Sequence, residues 1–506
     1  MAHEDEDATI CRCLRPSDYS GAGLTMLITL LFTIITFYGF YLWMVSRKYS
    51  HLPGNLGIEF PIIGNLYYSL KTSFLDHDGI IAHLKPLFPP GGGLHVMWYY
   101  WKPVVAISNP FMVEKLAGHP AFGDKESMVY ESLPNFWKGI ALYANADSKL
   151  KLRKKIINRS MTNQNLTNYH NIFVKMSKRM VDKMQHEKGT FNVERYTSMT
   201  AMGSIIETHF GSDLNAIDND EVYNLMRWGM RKVAITLFNP IFGFLLNIFI
   251  AVNNTLKPVH QIIETCQKNL AQRQQNVTKD ESKNLYFEDM LKEYSSIDSN
   301  YEEFQQVIRE VMFVGSQSVS NLVTTSLAIL ATLPDIQEKA WHEQQNIFGD
   351  SDRDPTTTDI KNMEYLERFV KEAVRFVTCP STVRKTKAEI IIDGKIIPPN
   401  TSVILCHRIM FMDSYYWENP SIFNPDRYLG DEPSKSYNHA LSAFGYGIRN
   451  CPGAQFAYDQ AKIMLSTILR RFKVVSDKRY EDIKQSAQIV MEITDGHHIS
   501  IVKRKK

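Results

Sequence analysis

Three kinds of apolar patterning divide this chain. From Leu24 to Val45 the run "LTMLITLLFTIITFYGFYLWMV" carries no charge at all. At ~1.5 Å per residue it makes about 33 Å of helix, enough to cross the hydrocarbon core of a bilayer. Its leader is acidic, with Glu4, Asp5, Glu6 and Asp7, whereas a cleaved signal peptide has a basic one, and Arg47 and Lys48 follow it at once. This predicts a transmembrane anchor over 24–45, with residues 1–23 in the lumen and the rest of the chain on the cytosolic side. Next, Pro53, Gly54, Gly57, Pro61 and Gly64 punctuate residues 46–65 and predict a stiff, non-helical hinge.

The second pattern is helical. "FQQVIREVMFVGSQSVSNLVTTSLAILATL", Phe304–Leu333, predicts one long helix that Pro334 stops. In "FVKEAVRFV", Glu372 and Arg375 are three apart, so a helix sets them on one face. The third pattern belongs to strands: "CPSTVRKTKAEIIIDGKIIPPNTSVILCHRIMF" alternates β-branched runs with Asp-Gly and Pro-Pro breaks, which predicts a small sheet. A further apolar stretch, Val233–Val252, is broken by Asn239, Pro240 and Gly243. A second span would carry the remaining chain across the bilayer, so this stretch is predicted to dip into the interface or to cover an apolar cavity.

Composition narrows the picture. The 506 residues are 44% hydrophobic and 22% charged, as in a folded protein, and no repeat or linker-like tract divides them. One large domain over 66–506 is expected. A net charge of +3 gives no ground for nucleic-acid binding. The densest basic run is "SKLKLRKKIINR", which suits either a solvated face or the docking of an acidic protein. The six cysteines, Cys11, Cys13, Cys266, Cys379, Cys406 and Cys451, do not make a disulfide scaffold, and those after Cys13 lack zinc-site or redox spacing.

Cys451 has its own setting. "FGYGIRNCPG" completes the pattern Phe-x-x-Gly-x-Arg-x-Cys-x-Gly with Phe444, Gly447, Arg449, Cys451 and Gly453. With this loop the sequence resembles the cytochrome P-450 superfamily of haem-thiolate monooxygenases. The resemblance implies a mainly α fold with a small β region, with Cys451 as axial ligand of a haem b iron. A thiolate there pushes electron density toward oxygen and favours O–O cleavage. Glycines let the backbone bend around the sulfur, and Arg449 is of the type that pairs with a haem propionate.

The same resemblance joins Glu372 and Arg375 to Arg427 of "FNPDRYL" in a structural Glu-Arg-Arg cluster. It places Arg384 on a propionate and leaves His407 as a packing residue. The family's Trp-x-x-x-Arg propionate contact falls on Leu150 and Lys154, so Lys154 or Arg153 is left to carry the charge. The cofactor-binding set implied is therefore Cys451, Arg449, Arg384, Lys154, Phe444 and Gly315. On the long helix the family pattern Ala/Gly-Gly-x-Asp/Glu-Thr-Thr reads here "VGSQSV": Gly315 is kept, Gln317 replaces the acid, Ser318 the first threonine and Val319 the second. Ser318 and Gln317 are the candidate catalytic pair. Serine keeps a hydroxyl, but glutamine has no carboxyl proton to give, so slower or water-mediated proton delivery with more hydrogen peroxide release is expected.

"EQQNIFGDSDRDPTTTDIKNMEYLERFVKEAVRF" looks like the fatty-acid-hydroxylase branch, family four, and its insect members above all. Members of that branch often esterify the haem through a glutamate just before the helix glycine; Val314 stands there, so the haem is expected to be non-covalent apart from the Cys451–iron bond. The resemblance implies an endoplasmic-reticulum, microsomal membrane enzyme. It would take NADPH electrons from a cytochrome P-450 reductase, with cytochrome b5 as a second candidate donor, and hydroxylate or epoxidise a lipophilic substrate. The alternatives are a reductase-independent haem-thiolate isomerase or dehydratase, and a non-catalytic haem or ligand carrier.

Overall fold

The N-terminal apolar run forms one continuous helix, α1 (Pro16–Tyr49). The structure, a computed structural model, describes residues 16–54, 84–99, 102–127, 148–211, 301–429, 442–494 and 497–504, with a few single positions between them. Val233–Val252 and residues 55–65 of the hinge lie outside the described residues.

Gly23–Tyr49 is long and apolar enough to cross a membrane, with a mean hydropathy of 1.9 and none of its most apolar window buried. Thr29, Thr33 and Thr36 each donate a hydroxyl to the carbonyl one turn back at 2.8 Å, which satisfies these polar groups inside the helix itself. The helix runs past the expected limit at Val45, because no residue before Pro53 forbids it, and its last turns dock on the domain. Val45, Tyr49 and Leu52 are buried in one cluster with Leu94, Val96 and Trp98. Lys48 Nζ donates to Pro399 O at 3.1 Å, and the Tyr49 hydroxyl meets Thr401 Oγ1 at 3.1 Å.

The remaining helices used below are α2 (Pro110–Gly118), α3 (Ser148–Ser160), α4 (Asn163–Met184), α5 (Val193–Phe210), α6 (Tyr301–Thr332), α7 (Pro334–Phe348), α8 (Thr357–Asn362), α9 (Glu364–Val377) and α10 (Ala454–Arg471). Helix α6 is the predicted long helix. Pro334 lacks the N–H that would continue it, and the chain turns by 111° into α7. The interior of α6 is apolar because it is core: Val323, Leu327 and Leu330 are wholly buried, in one cluster with residues of α4, α5, α9 and α10.

Strands are short. A five-stranded sheet has the order β1 (Leu94–Tyr99), β2 (Lys102–Ile107), β8 (Ser402–Leu405), β5 (Thr382–Lys385), β3 (Asp124–Lys125), parallel only at β2–β8. The predicted sheet segment supplies β5, β6 (Ile390–Ile392), β7 (Lys395–Ile397) and β8. Asp393 and Gly394, both at positive φ, turn the β6–β7 hairpin, as Asp-Gly pairs do. Near the C-terminus β4 (Phe191–Asn192), β12 (His498–Lys503) and β9 (Phe472–Val475) pair, and β10 (Gln485–Ala487) and β11 (Met491–Ile493) make a two-stranded ribbon. The fold is mainly helical with a small β region, as expected.

Candidate haem-binding site

The cysteine loop is built from two 3₁₀ turns, Ser442–Phe444 and Gly447–Arg449, before α10. The Cys451 N–H donates to Phe444 O at 2.7 Å and Asn450 N–H to Gly447 O at 3.1 Å, so the backbone folds back on itself around the sulfur. Gly445 and Gly447 hold φ of 75° and 62°, a region open to glycine and costly for other residues. Gly447 also lies against α2: a Cβ there would come within 2.1 Å of Ala117 O. The Phe444 ring packs on Tyr458 of α10, centroids 5.5 Å apart, and clamps the loop onto that helix.

Cys451 is exposed, and the protein packed around it pushes its thiol pKa up. The backbone N–H of Gly453, which points at the sulfur, and the Lys154 ammonium act in the opposite sense. A metal held by this cysteine would displace the thiol proton.

Beside the loop lies a set of cations. Arg384 is buried on β5, with Nη1 donating to Val383 O at 3.0 Å. Its register partner on β3 is Lys125, also buried. Burial, with Arg384 and Arg449 next, holds the Lys125 ammonium well below the usual lysine range; Cys379 and Glu310 partly offset this. Arg449 reaches the same region and anchors its Nε on Gly123 O at 2.9 Å. Three cations within electrostatic reach of one another, one of them in the loop that carries an accessible thiol, suit a dianionic, iron-bearing ligand. Haem b, with an iron and two propionates, fits that donor set. Sequence reasoning missed Lys125, which lies in a two-residue strand and belongs to no motif.

The other sequence candidates separate. Lys154 on α3 is directed into the loop: Nζ donates to Ile448 O at 2.8 Å, to Gly447 O at 3.4 Å and to Asn450 Oδ1. Its ammonium braces the cysteine loop, and burial followed by Arg449 lowers its pKa, against the pull of Cys451. Leu150 and Arg153 are buried on the same helix. Gly315, expected on the cofactor, has its missing Cβ directed at Ile205 Cδ1, 3.0 Å away, and so serves the approach of α6 to α5. In its middle the buried helix α6 keeps one open strip, Glu310, Val311, Val314, Gly315 and Ser318. Ser318 is the exposed member, and its hydroxyl donates to Val314 O at 3.0 Å. Gln317 lies on the buried side, its Nε2 donating to Glu492 Oε1 at 3.4 Å.

The Glu-Arg-Arg cluster forms. Arg375 grips Glu372 with two bonds of 2.9 Å, and Arg427 Nε donates to Glu372 Oε1 at 2.9 Å. Spare guanidinium N–H groups bond Phe411 O, Pro420 O, Glu418 O and Ile422 O, which ties the segment before the cysteine loop to α9. Breaking such a buried, fully bonded pair costs roughly 3–5 kcal/mol. His407 is a packing residue: Nε2 meets Thr382 Oγ1 at 3.1 Å, and burial, with Arg384 nearby, lowers its pKa to about 4.

A long buried helix, a Glu-Arg-Arg lock and a glycine-bent cysteine loop on a helix N-terminus together define the haem-thiolate class of protein. The chain belongs to the cytochrome P-450 family, whose model (Cytochrome P-450) matches residues 58–499. It is 28% identical to cytochrome P-450 4c21 of Blattella germanica over 92% of this chain and 96% of that protein. It is 26% identical to cytochrome P-450 4c3 of Drosophila melanogaster over 94% of each, and 25% identical to cytochrome P-450 4V2 of Homo sapiens over 81% of this chain and 82% of that one. Family membership carries haem b binding through a cysteine and, at the level of the family, monooxygenase chemistry.

Proposed function

We propose that this chain is a membrane-anchored monooxygenase that inserts one oxygen atom into a lipophilic substrate by hydroxylation or epoxidation. The observation that carries the reading is the Cys451 loop, with its sulfur accessible and the cations Arg384, Lys125 and Arg449 gathered beside it. In this reading Cys451 is the axial iron ligand, and Arg384, Arg449 and Lys125 hold the propionates. Phe444 and Lys154 brace the loop, and Ser318 offers a hydroxyl on the open strip of α6. When bound, the haem supplies the oxygen-activating chemistry, and the protein sets its ligand and orientation.

An electron donor fits a basic groove at the loop. Lys151, Lys154, Lys155, Asn158, Arg159, Thr162 and Ile448 line an open groove of about 490 Å³ next to the cysteine. Its charge suits an acidic NADPH-dependent flavoprotein reductase or cytochrome b5. The helix Gly23–Tyr49 suits an endoplasmic-reticulum anchor with a cytosolic catalytic domain over 66–506, and it would bring a lipid-borne substrate to the site. Similarity to family-four proteins supports a fatty-acid-derived or hydrocarbon substrate.

The test is NADPH- and reductase-dependent product formation by the full chain, compared with Cys451→His. The wild type should show the red-shifted carbon-monoxide band of a reduced haem thiolate, and the variant should lose both band and activity. A retained band in the variant overturns the ligand. Turnover of a peroxide substrate without reductase assigns the isomerase or dehydratase class instead.

A further inference from the structure

The hairpin β6–β7 reads "IIIDGKII", five isoleucines in eight residues. Alternation along its strands divides them. Ile390, Ile392 and Ile397 are buried in one cluster with Val45, Tyr49 and Leu52 at the end of α1. Ile391 and Ile396, register partners across the hairpin, are 66% and 40% exposed. Two β-branched side chains abreast on a ribbon of only two strands make an apolar face that soluble proteins cover or interrupt with charge.

What lies over that face is set by α1. His51, just past the helix, donates from Nε2 to Ile396 O at 2.7 Å, and Lys48 reaches Pro399 O beyond the hairpin at 3.1 Å. The hairpin therefore stands at the level of the last turn of α1. At ~1.5 Å per residue Tyr49 lies about 6 Å past Val45, where the uncharged run ends, and the headgroup layer on each side of a bilayer is about 5–7 Å thick. The domain also reaches lower on the helix. Tyr41 and Leu42, inside the uncharged run, are half-buried against the same cluster, with the Tyr41 ring 6.5 Å from that of Trp98. Arg47 lies over the Trp43 ring at 5.0 Å, an aromatic and a cation of the kinds that gather at headgroup level. Asp393 in the hairpin turn is paired with Lys115 of α2 at 2.7 Å and Glu389 precedes the hairpin, against Lys395 on β7 and Arg47 and Lys48 on α1. The balance is positive, which suits anionic headgroups.

We propose that the β6–β7 hairpin is a second membrane contact, with Ile391 and Ile396 lodged in the headgroup layer beside α1. The proposal rests on the membrane-anchored reading. A span alone leaves its own tilt open, because tilt is set by packing and by anchors at the interface. Here the buried side of the hairpin is tied to the end of α1, so its exposed side, once in the headgroups, holds helix and domain at one angle to the bilayer. The apolar face is then covered by lipid rather than by another protein chain.

The experiment uses the full haem-loaded chain in vesicles of phosphatidylcholine and phosphatidylserine, with a nitroxide label on Ile391→Cys and the labelled wild type as background. Relaxation of the label by oxygen, which enters lipid, is compared with relaxation by a water-soluble nickel chelate. Ile422→Cys, at an exposed isoleucine beside the Glu-Arg-Arg cluster, and Ile35→Cys, inside the span, give the wet and the lipid references. Nickel contact at Ile391 should be several-fold lower than at Ile422, with oxygen contact retained. Equal nickel contact at the two positions overturns the proposal. Shielding of Ile391 from oxygen and nickel alike, or dipolar broadening between labels, overturns it too, since protein or a second copy then covers the face. Adding Ile391→Asp to a label on Ile396→Cys should raise nickel contact there several-fold, as a charge lifts the face out of the lipid; no change overturns the contact. If Ile391→Cys fails to bind haem, Ile396→Cys alone gives the same comparison with Ile422. Nickel contact at Ile35 overturns the membrane-anchored reading, and this one with it. Ile35 shielded and Ile391 wet sinks this one alone.

Discussion

Lys125 and Arg384 face each other as register partners across the β3–β5 pairing, two buried cations on adjoining strands. Neither gains from the other, and the Lys125 ammonium is held well below the usual lysine range for that reason and for burial before it. An anionic ligand beside this pair would offset the repulsion between its two cations.

Lys125→Met separates the two effects. Removing a desolvated cation should leave the haem-free protein as stable as wild type or more so, while haem retention falls. Haem per protein after gel filtration and thermal unfolding of the haem-free form give the comparison. Lower haem-free stability with unchanged haem retention would make Lys125 a packing residue.

Gly445 and Gly447 both hold positive φ, but their surroundings differ. A Cβ on Gly445 meets backbone at 3.6 Å, an ordinary contact, whereas on Gly447 it would run into Ala117 O. Gly445→Ala should cost about 1–2 kcal/mol of backbone strain. Gly447→Ala must also push the loop off α2, so it should bind little haem while its far-UV circular dichroism stays helical. Equal haem content in the two variants would refute the contact.

These residues show what the sequence could and could not disclose. The cysteine loop, the Glu372–Arg375 spacing and the uncharged run of α1 were legible because each is local: its chemistry depends on neighbours a few positions away. Lys125 and Glu492 were not, because their partners arrive through strand pairing and helix–ribbon packing far along the chain. For Lys154 and Gly315 the sequence could not show which way the residue faces. Their elements were foreseen, but side-chain direction within an element is set by what packs on it: Ile205 for Gly315, and the carbonyls of the loop for Lys154. The 24–45 anchor is read from apolarity, which marks the bilayer, while the helix itself runs on to Tyr49, since a helix ends only where its backbone must.

His209 links packing to acid stability. It ends α5 among Tyr169, Phe210 and Phe456, ring centroids 5.7 to 6.4 Å away, and burial pushes its pKa down to about 4. The folded state keeps it neutral, while in the unfolded chain it takes a proton near ~6.5. Stability should therefore be full above that value and fall as pH drops toward about 4, by on the order of 3 kcal/mol. His209→Phe should remove that part of the slope. Denaturant unfolding at a series of pH values measures it, and an unaltered slope in the variant would place the acid sensitivity elsewhere.

The residue after the cysteine sets how much charge its sulfur keeps. Pro452 has no N–H, so of the two amides that follow Cys451 only that of Gly453 points at the sulfur. Each such hydrogen bond withdraws electron density from a thiolate and favours the ferrous state, which is one of the ways a protein adjusts haem potential. With haem held by Cys451, proline here would keep the sulfur more electron-rich than a residue with an N–H. Pro452→Ala adds an amide in the same turn, ahead of α10, and should raise the reduction potential while leaving the thiolate carbon-monoxide band intact. Potentiometric titration of the two proteins decides the matter. A lower or unchanged potential in the alanine variant, with the band preserved, would mean that the new N–H turns away from the sulfur and that proline shapes the loop rather than its charge.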